Sequence, residues 1–277
     1  RGPPMRRVLA QSRLSAQQSR GSFPSFNRHA RRMCDTAQNE RRIIIPDLGV
    51  EGKLNEIIGE TWVGLQTKGY YTKEGFLGSD VCKNMRVESE SLFLKGKFFQ
   101  SQSLTSSGRH FNKPGVHACE LDGSSYEEWE MAPHLLAYTR EVVLTLPSMM
   151  NNLQPSLNMS TRLYGTKLAV ATGNGSKYPR HVDNNGEVLG EPDLRKLTFI
   201  YYMNPGWTPG NGGALRVWDR EGECTDTYPD GDRLFVFWSD SLVHEVLANE
   251  DPNFPRYALT LWLVTEDKNM IQANAPQ

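Results

Sequence analysis

Two histidines, an aspartate and an arginine carry the most specific chemistry this chain offers. His181 and Asp183 are separated by one residue in YPRHVDN, His244 follows in FWSDSLVHEV, and Arg256 lies beyond it. Two imidazoles and a carboxylate can hold a divalent iron on one face and leave the opposite positions open to reacting molecules. An arginine past the distal histidine suits the tail carboxylate of a small dianionic co-substrate, because a planar guanidinium meets a carboxylate with two parallel hydrogen bonds. If the four residues meet in space, the chain is an oxygenase. Singly, each is weak. His-x-Asp arises by chance in a chain with six histidines. A lone His244 is more often a hydrogen-bonded histidine than a ligand, and a lone Arg256 a surface cation or salt-bridge partner. Their order and spacing together favour iron. Zinc also takes two histidines and a carboxylate, but a zinc hydrolase would be expected to present His-Glu-x-x-His on a helix. Here the residues fall in β-like runs.

Those runs must position them. After Thr161 the chain reads as short strands over residues 163–171, 178–183, 197–203, 214–218, 233–238, 244–247 and 257–264. They are punctuated by Gly173-Asn174-Gly175, Asn185-Gly186, Pro209-Gly210 and Asp230-Gly231. This texture predicts a β-sandwich or barrel, with the preceding helices packed outside: mainly β, α+β. A strand sends alternate side chains to opposite faces. His181 therefore points with Asp183, Ile200 with Tyr202, and His244 with Val246. Arg256, Ala258, Thr260 and Trp262 share one face of the last run. The chemistry requires that these faces line one cavity.

Upstream, Leu54, Ile57, Ile58, Val63 and Leu65 predict a helix over residues 50–68, stopped by Gly69. A second helix is predicted over 76–85 and a strand over 89–99, interrupted by Gly96. Residues 100–115, QSQSLTSSGRHFNKPG, read as a long mobile loop, either a lid or a tolerated insertion, with His110 and His117 solvated. Pro133 opens a helix running to about Leu146, and His134 in its first turn has no clustered acid partner.

Composition adds bounds. Thirty-one basic and 32 acidic residues leave a net charge of −1, which does not mark the catalytic region as a nucleic-acid binder. No apolar run is long enough to span a membrane. Cys34, Cys82, Cys119 and Cys224 are scattered, which argues against a zinc site or disulfide framework and for a reducing compartment, cytoplasmic or nuclear. From Arg1 to Arg42 every Lys/Arg-type cation is arginine and the acids are Asp35 and Glu40. Such a segment reads first as a disordered basic tail, with a transit peptide or an acidic-partner contact as alternatives. The expected organisation is a tail over 1–45, a catalytic domain over 46–267 and a short tail over 268–277.

Over roughly residues 46–267 the chain resembles the iron(II)- and 2-oxoglutarate-dependent oxygenases, and among them the HIF prolyl hydroxylases of the egl-nine type. GNGSKYPRHVDN, IYYMN, GGALRVW, DRLFVFWSDSLVHEV and RYALTLW carry the likeness. The resemblance implies a double-stranded β-helix, with His181, Asp183 and His244 as iron ligands and Arg256 on the distal carboxylate of 2-oxoglutarate. Tyr202 would donate a hydrogen bond there, with Thr260 beside it and Ile200, Leu215 and Val246 as apolar walls. Tyr178, Arg195 and Trp262 match positions that hold the substrate proline and its flanking peptide. Implied too are dioxygen as co-substrate, support by ascorbate, a monomer, and a HIF-α-type transcription factor hydroxylated at proline C4 in oxygen sensing. The loop at 100–115 falls where the family has a finger that folds over substrate.

The chain departs from the family pattern in places. Ala171 stands where the family often has a tyrosine beside the co-substrate, so the pocket should be roomier. Glu120 or Cys119 stands where members carry a tryptophan near the substrate. Residues 184–194 and 246–255 are longer than usual. The rival functions are prolyl hydroxylation of another intracellular protein, such as a ribosomal or translation factor, and a non-catalytic binding module on the same fold. A collagen-type enzyme fits less well, since that group carries lysine at the Arg256 position.

Overall fold

The apolar spacing after Val50 produces α1 (Val50–Thr67), which buries Val50, Leu54, Ile57 and Leu65 but leaves Val63 exposed. Gly69 follows at φ 87°, a conformation that stops the helix at little steric cost to glycine. The structure, a computed structural model, describes residues 43–272 apart from 105–109, 185 and 189–190. The basic segment expected over 1–45 therefore lies almost wholly outside the described residues. Among these, no helix is long and apolar enough to cross a membrane.

β1 (Tyr70–Glu74) leads to α2 (Ser79–Leu94), which runs well past the predicted 76–85 and takes in residues that read as strand. Cys82, Met85, Ser89 and Leu92 are buried at helical spacing. The polar member, Ser89, hides the pattern, because its hydroxyl is satisfied by donating to the Met85 carbonyl one turn back at 2.7 Å. The predicted loop at 100–115 is also corrected. β2 (Phe99–Leu104) and β3 (His110–Cys119) pair antiparallel, with Gln102 opposite Asn112. Phe99, Gln102, Lys113, Val116 and Ala118 of this hairpin line the cavity, and the Ser and Gln residues between the apolar ones make the composition mimic a loop. His117 is not simply solvated: it is half-buried, its ring centroid 5.7 Å from that of Phe93, with Nδ1 buried and unpaired. The side chain of His110 lies outside the described residues.

α3 (Tyr126–Met131) is capped by Ser125, whose hydroxyl accepts from the Glu128 amide at 3.1 Å. α4 (Pro133–Leu153) opens on Pro133 and continues through Pro147 beyond the predicted end. His134 does have an acid partner. Glu88, on α2, lies 2.6 Å from its Nδ1 and accepts from the His134 and Leu135 amides at 3.0 Å each. A single α2 carboxylate thus satisfies the open N-terminus of α4, a contact that sequence proximity could not reveal.

The strands then follow: β4 (Met159–Ala171), β5 (Ser176–His181), β6 (Glu187–Val188), β7 (Glu191–Pro192), β8 (Arg195–Tyr202), β9 (Leu215–Trp218), β10 (Cys224–Thr227), β11 (Arg233–Trp238), β12 (Val243–Asn249) and β13 (Arg256–Thr265). Each run predicted after Thr161 reappears, that over 233–238 with the same ends and the others with shifted ends. β1 and the short β6, β7 and β10 are additions to the predicted set. A seven-stranded sheet, β1-β11-β8-β13-β4-β3-β2, faces a four-stranded sheet, β10-β9-β12-β5, all pairs antiparallel, in the arrangement of a double-stranded β-helix. Alternation on β13 sorts the interior. Tyr257, Leu259, Leu261 and Leu263 pack into the larger core with the helices, while Arg256, Ala258, Thr260 and Trp262 line the cavity. On β8, Leu197, Phe199 and Tyr201 join that core, and Ile200 and Tyr202 turn inward to Leu215, Val217, Phe235 and Phe237. Past β13, Lys268–Met270 form a 3-10 turn, and Met270 packs against the core.

Candidate metal and co-substrate site

β12 lies against β5 with His244 opposite His181, which brings the two imidazole centroids to 4.2 Å. β5 ends at His181, so Asp183 sits in the bend that follows, which corrects the expectation that both residues lie on a strand. Their carboxylate and ring nevertheless converge. Asp183 Oδ1 is 3.4 Å from His181 Nε2 and 3.7 Å from His244 Nε2. One ligand atom from each of the three residues lies within 4.8 Å of the others.

The surroundings aim those atoms. The Nδ1–H of His181 donates to the Pro179 carbonyl at 2.8 Å and that of His244 to the Leu242 carbonyl at 3.0 Å. Once Nε2 gives up any proton it shares with Asp183, this arrangement turns both Nε2 lone pairs toward that carboxylate, the state a metal needs. Asp183 Oδ2 accepts from the Thr198 hydroxyl at 2.8 Å and the Trp262 indole N–H at 2.9 Å, which leaves Oδ1 to the imidazoles. Burial would raise the Asp183 carboxyl, but the hydrogen bond from His181 and the charges of His244 and His181 outweigh it and hold it well below the usual carboxylate range. Burial, reinforced by His181, pushes His244 down to about 4. An anionic carboxylate between two imidazoles with free lone pairs fits a divalent first-row metal.

Arg256 lies across the same cavity, 8% exposed. Its Nε donates to the Gly213 carbonyl at 3.0 Å and its Nη2 to the Tyr202 hydroxyl at 3.4 Å, and it has no carboxylate partner among the described residues. Burial lowers the guanidinium, opposed by Tyr202. A desolvated cation without an anion is costly, and a ligand carboxylate would relieve it. Gly213 makes room: at φ 65° it has no side chain, and a Cβ there would sit 3.1 Å from Arg256 Cδ.

The cavity measures about 370 Å³. Ile200, Leu215, Val246 and Ala258 form its apolar walls, and Thr260 faces it between Ile200 and Lys167 in the sheet register. Tyr202 is fully buried behind the wall and meets the site through its hydroxyl. Tyr178 lies 4.9 Å from His181, ring to ring. Arg195 lines the cavity but is held by Asp193, with Nε 2.9 Å from Oδ1, and its guanidinium lies 5.6 Å from the Trp262 ring. Burial opposes its charge, and Asp193 restores it and raises the guanidinium. Trp262 faces the cavity as predicted and additionally holds Asp183, a role its position alone does not suggest.

Sequence reasoning misses Thr198, Lys113 and Lys167. Alternation along β4 is a signal that places Lys167 with Ala169 and Ala171 on the cavity face, and all three are there. The same alternation along β8 places Thr198 with Ile200 and Tyr202, whereas Lys113 carries no such signal.

Comparison with known proteins agrees with this geometry. Residues 166–264 match the 2OG-Fe(II) oxygenase superfamily. The hypoxia-inducible factor prolyl hydroxylase of Caenorhabditis elegans is 28% identical over 208 residues, 72% of this chain and 27% of that protein. Egl nine homolog 1 of Homo sapiens is 41% identical over 109 residues, 37% of this chain and 24% of that protein. The chain thus spans about a quarter of the length of these curated relatives. A prolyl hydroxylase from Trichoplax adhaerens, solved with a hypoxia inducible factor oxygen degradation domain peptide fragment, superposes with a TM-score of 0.67 at 24% identity, covering 83% of this chain and 98% of that one. A Pseudomonas putida prolyl-4-hydroxylase gives 0.59 at 23%, covering 75% and 99%. These two share the fold. Residues 166–264 thus match a 2OG-Fe(II) oxygenase domain, and the chain is similar in sequence to HIF prolyl hydroxylases and in fold to the two solved prolyl hydroxylases.

Proposed function

We propose that the chain is a prolyl 4-hydroxylase acting on a HIF-α-like protein, with iron(II) held by His181, Asp183 and His244. The observation that carries this reading is the meeting of those three donors in a cavity whose far wall holds a buried arginine with no carboxylate partner among the described residues. Bound iron(II), with 2-oxoglutarate and dioxygen, supplies the chemistry that yields succinate, CO2 and one oxygen atom inserted into a C–H bond.

The chain's own residues orient and enclose that chemistry. Arg256 takes the distal carboxylate of 2-oxoglutarate, helped by the Tyr202 hydroxyl and Thr260. Thr198 and Trp262 fix the Asp183 carboxylate so that one oxygen remains for the metal. Ile200, Leu215 and Val246 exclude water, which strengthens every charge interaction inside. Tyr178 and Trp262 frame the substrate proline, and Arg195, fixed by Asp193, flanks the peptide.

A second reading, hydroxylation of a different intracellular protein, draws on Glu120 and Ala171, which line the cavity where the family resemblance implies aromatic residues. Mass spectrometry of a peptide panel separates them. A Leu-x-x-Leu-Ala-Pro peptide should gain one oxygen on proline in the presence of iron(II), 2-oxoglutarate and oxygen. If only a ribosomal-type peptide is modified, the second reading stands; if none is, the proposed activity fails.

A further inference from the structure

The cavity holds more positive charge than the proposed reaction uses. Lys113 and Lys167 both line it, on β3 and β4. Lys113 is 3% exposed, yet its ammonium has no acceptor among the described residues and sits 3.3 Å from the centroid of the Tyr178 ring. Lys167 reaches Ser101 Oγ at 3.1 Å and lies 5.8 Å from the same ring. Ser176, 3% exposed on β5, lines the same cavity from the smaller sheet, and its hydroxyl is buried without a partner among the described residues. A buried amine, a half-buried amine and an orphan hydroxyl, lining one cavity, form a built polar site.

Charge sharpens the point. Iron(II) and Arg256 would be balanced by Asp183 and the two carboxylates of 2-oxoglutarate. Arg195 is already paired with Asp193. The acids whose charge reaches the lysines are Asp183 and Glu120, and the first is committed to the metal. Burial and the charge of Lys167 push Lys113 down to about 6, and burial pushes Lys167 down to about 8. Both charged amines are disfavoured on their own and would be settled by an anion.

Resting on the proposed function, we infer that Lys113, Lys167 and Ser176 form a second carboxylate subsite, separate from Arg256. Two sources can supply that carboxylate: the proximal carboxylate of 2-oxoglutarate, or an acidic side chain near the substrate proline. The lysine beside Tyr178 then selects for acid next to the reacting residue, or takes over the co-substrate contact that Ala171 cannot make.

Oxygen-free calorimetry on manganese(II)-loaded protein tests this. Wild type, Lys113→Met, Lys167→Met and the double variant are titrated with 2-oxoglutarate, and then, with 2-oxoglutarate saturating, with two proline peptides that differ only in Asp versus Asn beside the proline. Thermal melts verify that each variant is folded. If 2-oxoglutarate is the source, the double variant loses at least tenfold in its affinity. If the substrate is the source, the double variant loses the preference for the Asp peptide and keeps 2-oxoglutarate affinity. Wild-type binding should take up a proton, which binding to the double variant should not. A double variant that matches wild type on all three ligands overturns the subsite. Failure of the proposed function looks different, because wild type would show no metal-dependent 2-oxoglutarate binding. Glutarate titrated into the metal-free protein then decides the subsite alone: loss in the double variant supports it, and unchanged or absent binding overturns it.

Discussion

The two oxygens of Asp183 have different tasks. Oδ2 is occupied by Thr198 and Trp262, and Oδ1 faces the two imidazoles. Trp262→Phe keeps an aromatic ring but removes the indole donor, so metal affinity should fall about 10-fold to 100-fold, as measured by competitive chelator titration. Lys113 makes the opposite kind of prediction. Its pKa is depressed, so the unfolded chain binds more protons than the folded one between the folded value near 6 and the ordinary value of 10.5. Stability conferred by replacing it is therefore greatest at low pH in that window and fades as pH rises toward 10.5. Lys113→Met should raise the melting temperature of the metal-free protein at pH 7 by several degrees, and by less at pH 9.5. Burial likewise depresses His244, so the metal-free fold should lose stability as pH falls from 6.5 toward 4, by about 3 kcal/mol if that group acts alone. Metal binding should weaken over the same range, because protons compete for the same nitrogen. The proposed metal-binding residues and the arginine are legible in the sequence because their types and order are unusual together. The lysines are not, because a lysine in a strand or polar stretch ordinarily reads as solvated.

At the scale of elements, β13 is the most readable. Its alternation alone puts Arg256, Thr260 and Trp262 on one face, and the register with β8 and β4 turns that face to the cavity. The boundary between α2 and β2 is hidden because Ser89 replaces an apolar residue on the buried face and satisfies itself through the backbone. The β2–β3 hairpin resembles a loop in composition because Ser and Gln interrupt the apolar residues it turns to the cavity. The Glu88 cap on α4 joins residues far apart in sequence. Glu88→Ala leaves two buried or half-buried amides without an acceptor and should cost about 1–3 kcal/mol, readable in urea denaturation. Gly213→Ala, at φ 65° and against Arg256, should weaken 2-oxoglutarate binding more than it weakens metal binding, because the strain falls on the arginine side of the cavity.

At the scale of the molecule, two antiparallel sheets hold the metal side and the co-substrate side of one cavity. The proposed metal ligands come from β5, the bend after it and β12, on the side of the smaller sheet. Arg256, Thr260, Ile200 and the two lysines come from the larger sheet. The helices pack on the outer face of the larger sheet and leave the cavity to the strands. This division explains why the fold class is readable from alternating strands and turns, whereas the sheet pairing, set by contacts distant in sequence, is not. The central claim is that this cavity couples 2-oxoglutarate consumption to hydroxylation through the His181, Asp183 and His244 set. The most direct measurement is succinate formed alongside oxygen gained on a Leu-x-x-Leu-Ala-Pro peptide, for iron-loaded wild type and for folded Asp183→Ala. The account predicts matched succinate and hydroxyproline for wild type and neither for the variant. Equal turnover by Asp183→Ala, or an unmodified peptide with no succinate from iron-loaded wild type, would contradict it.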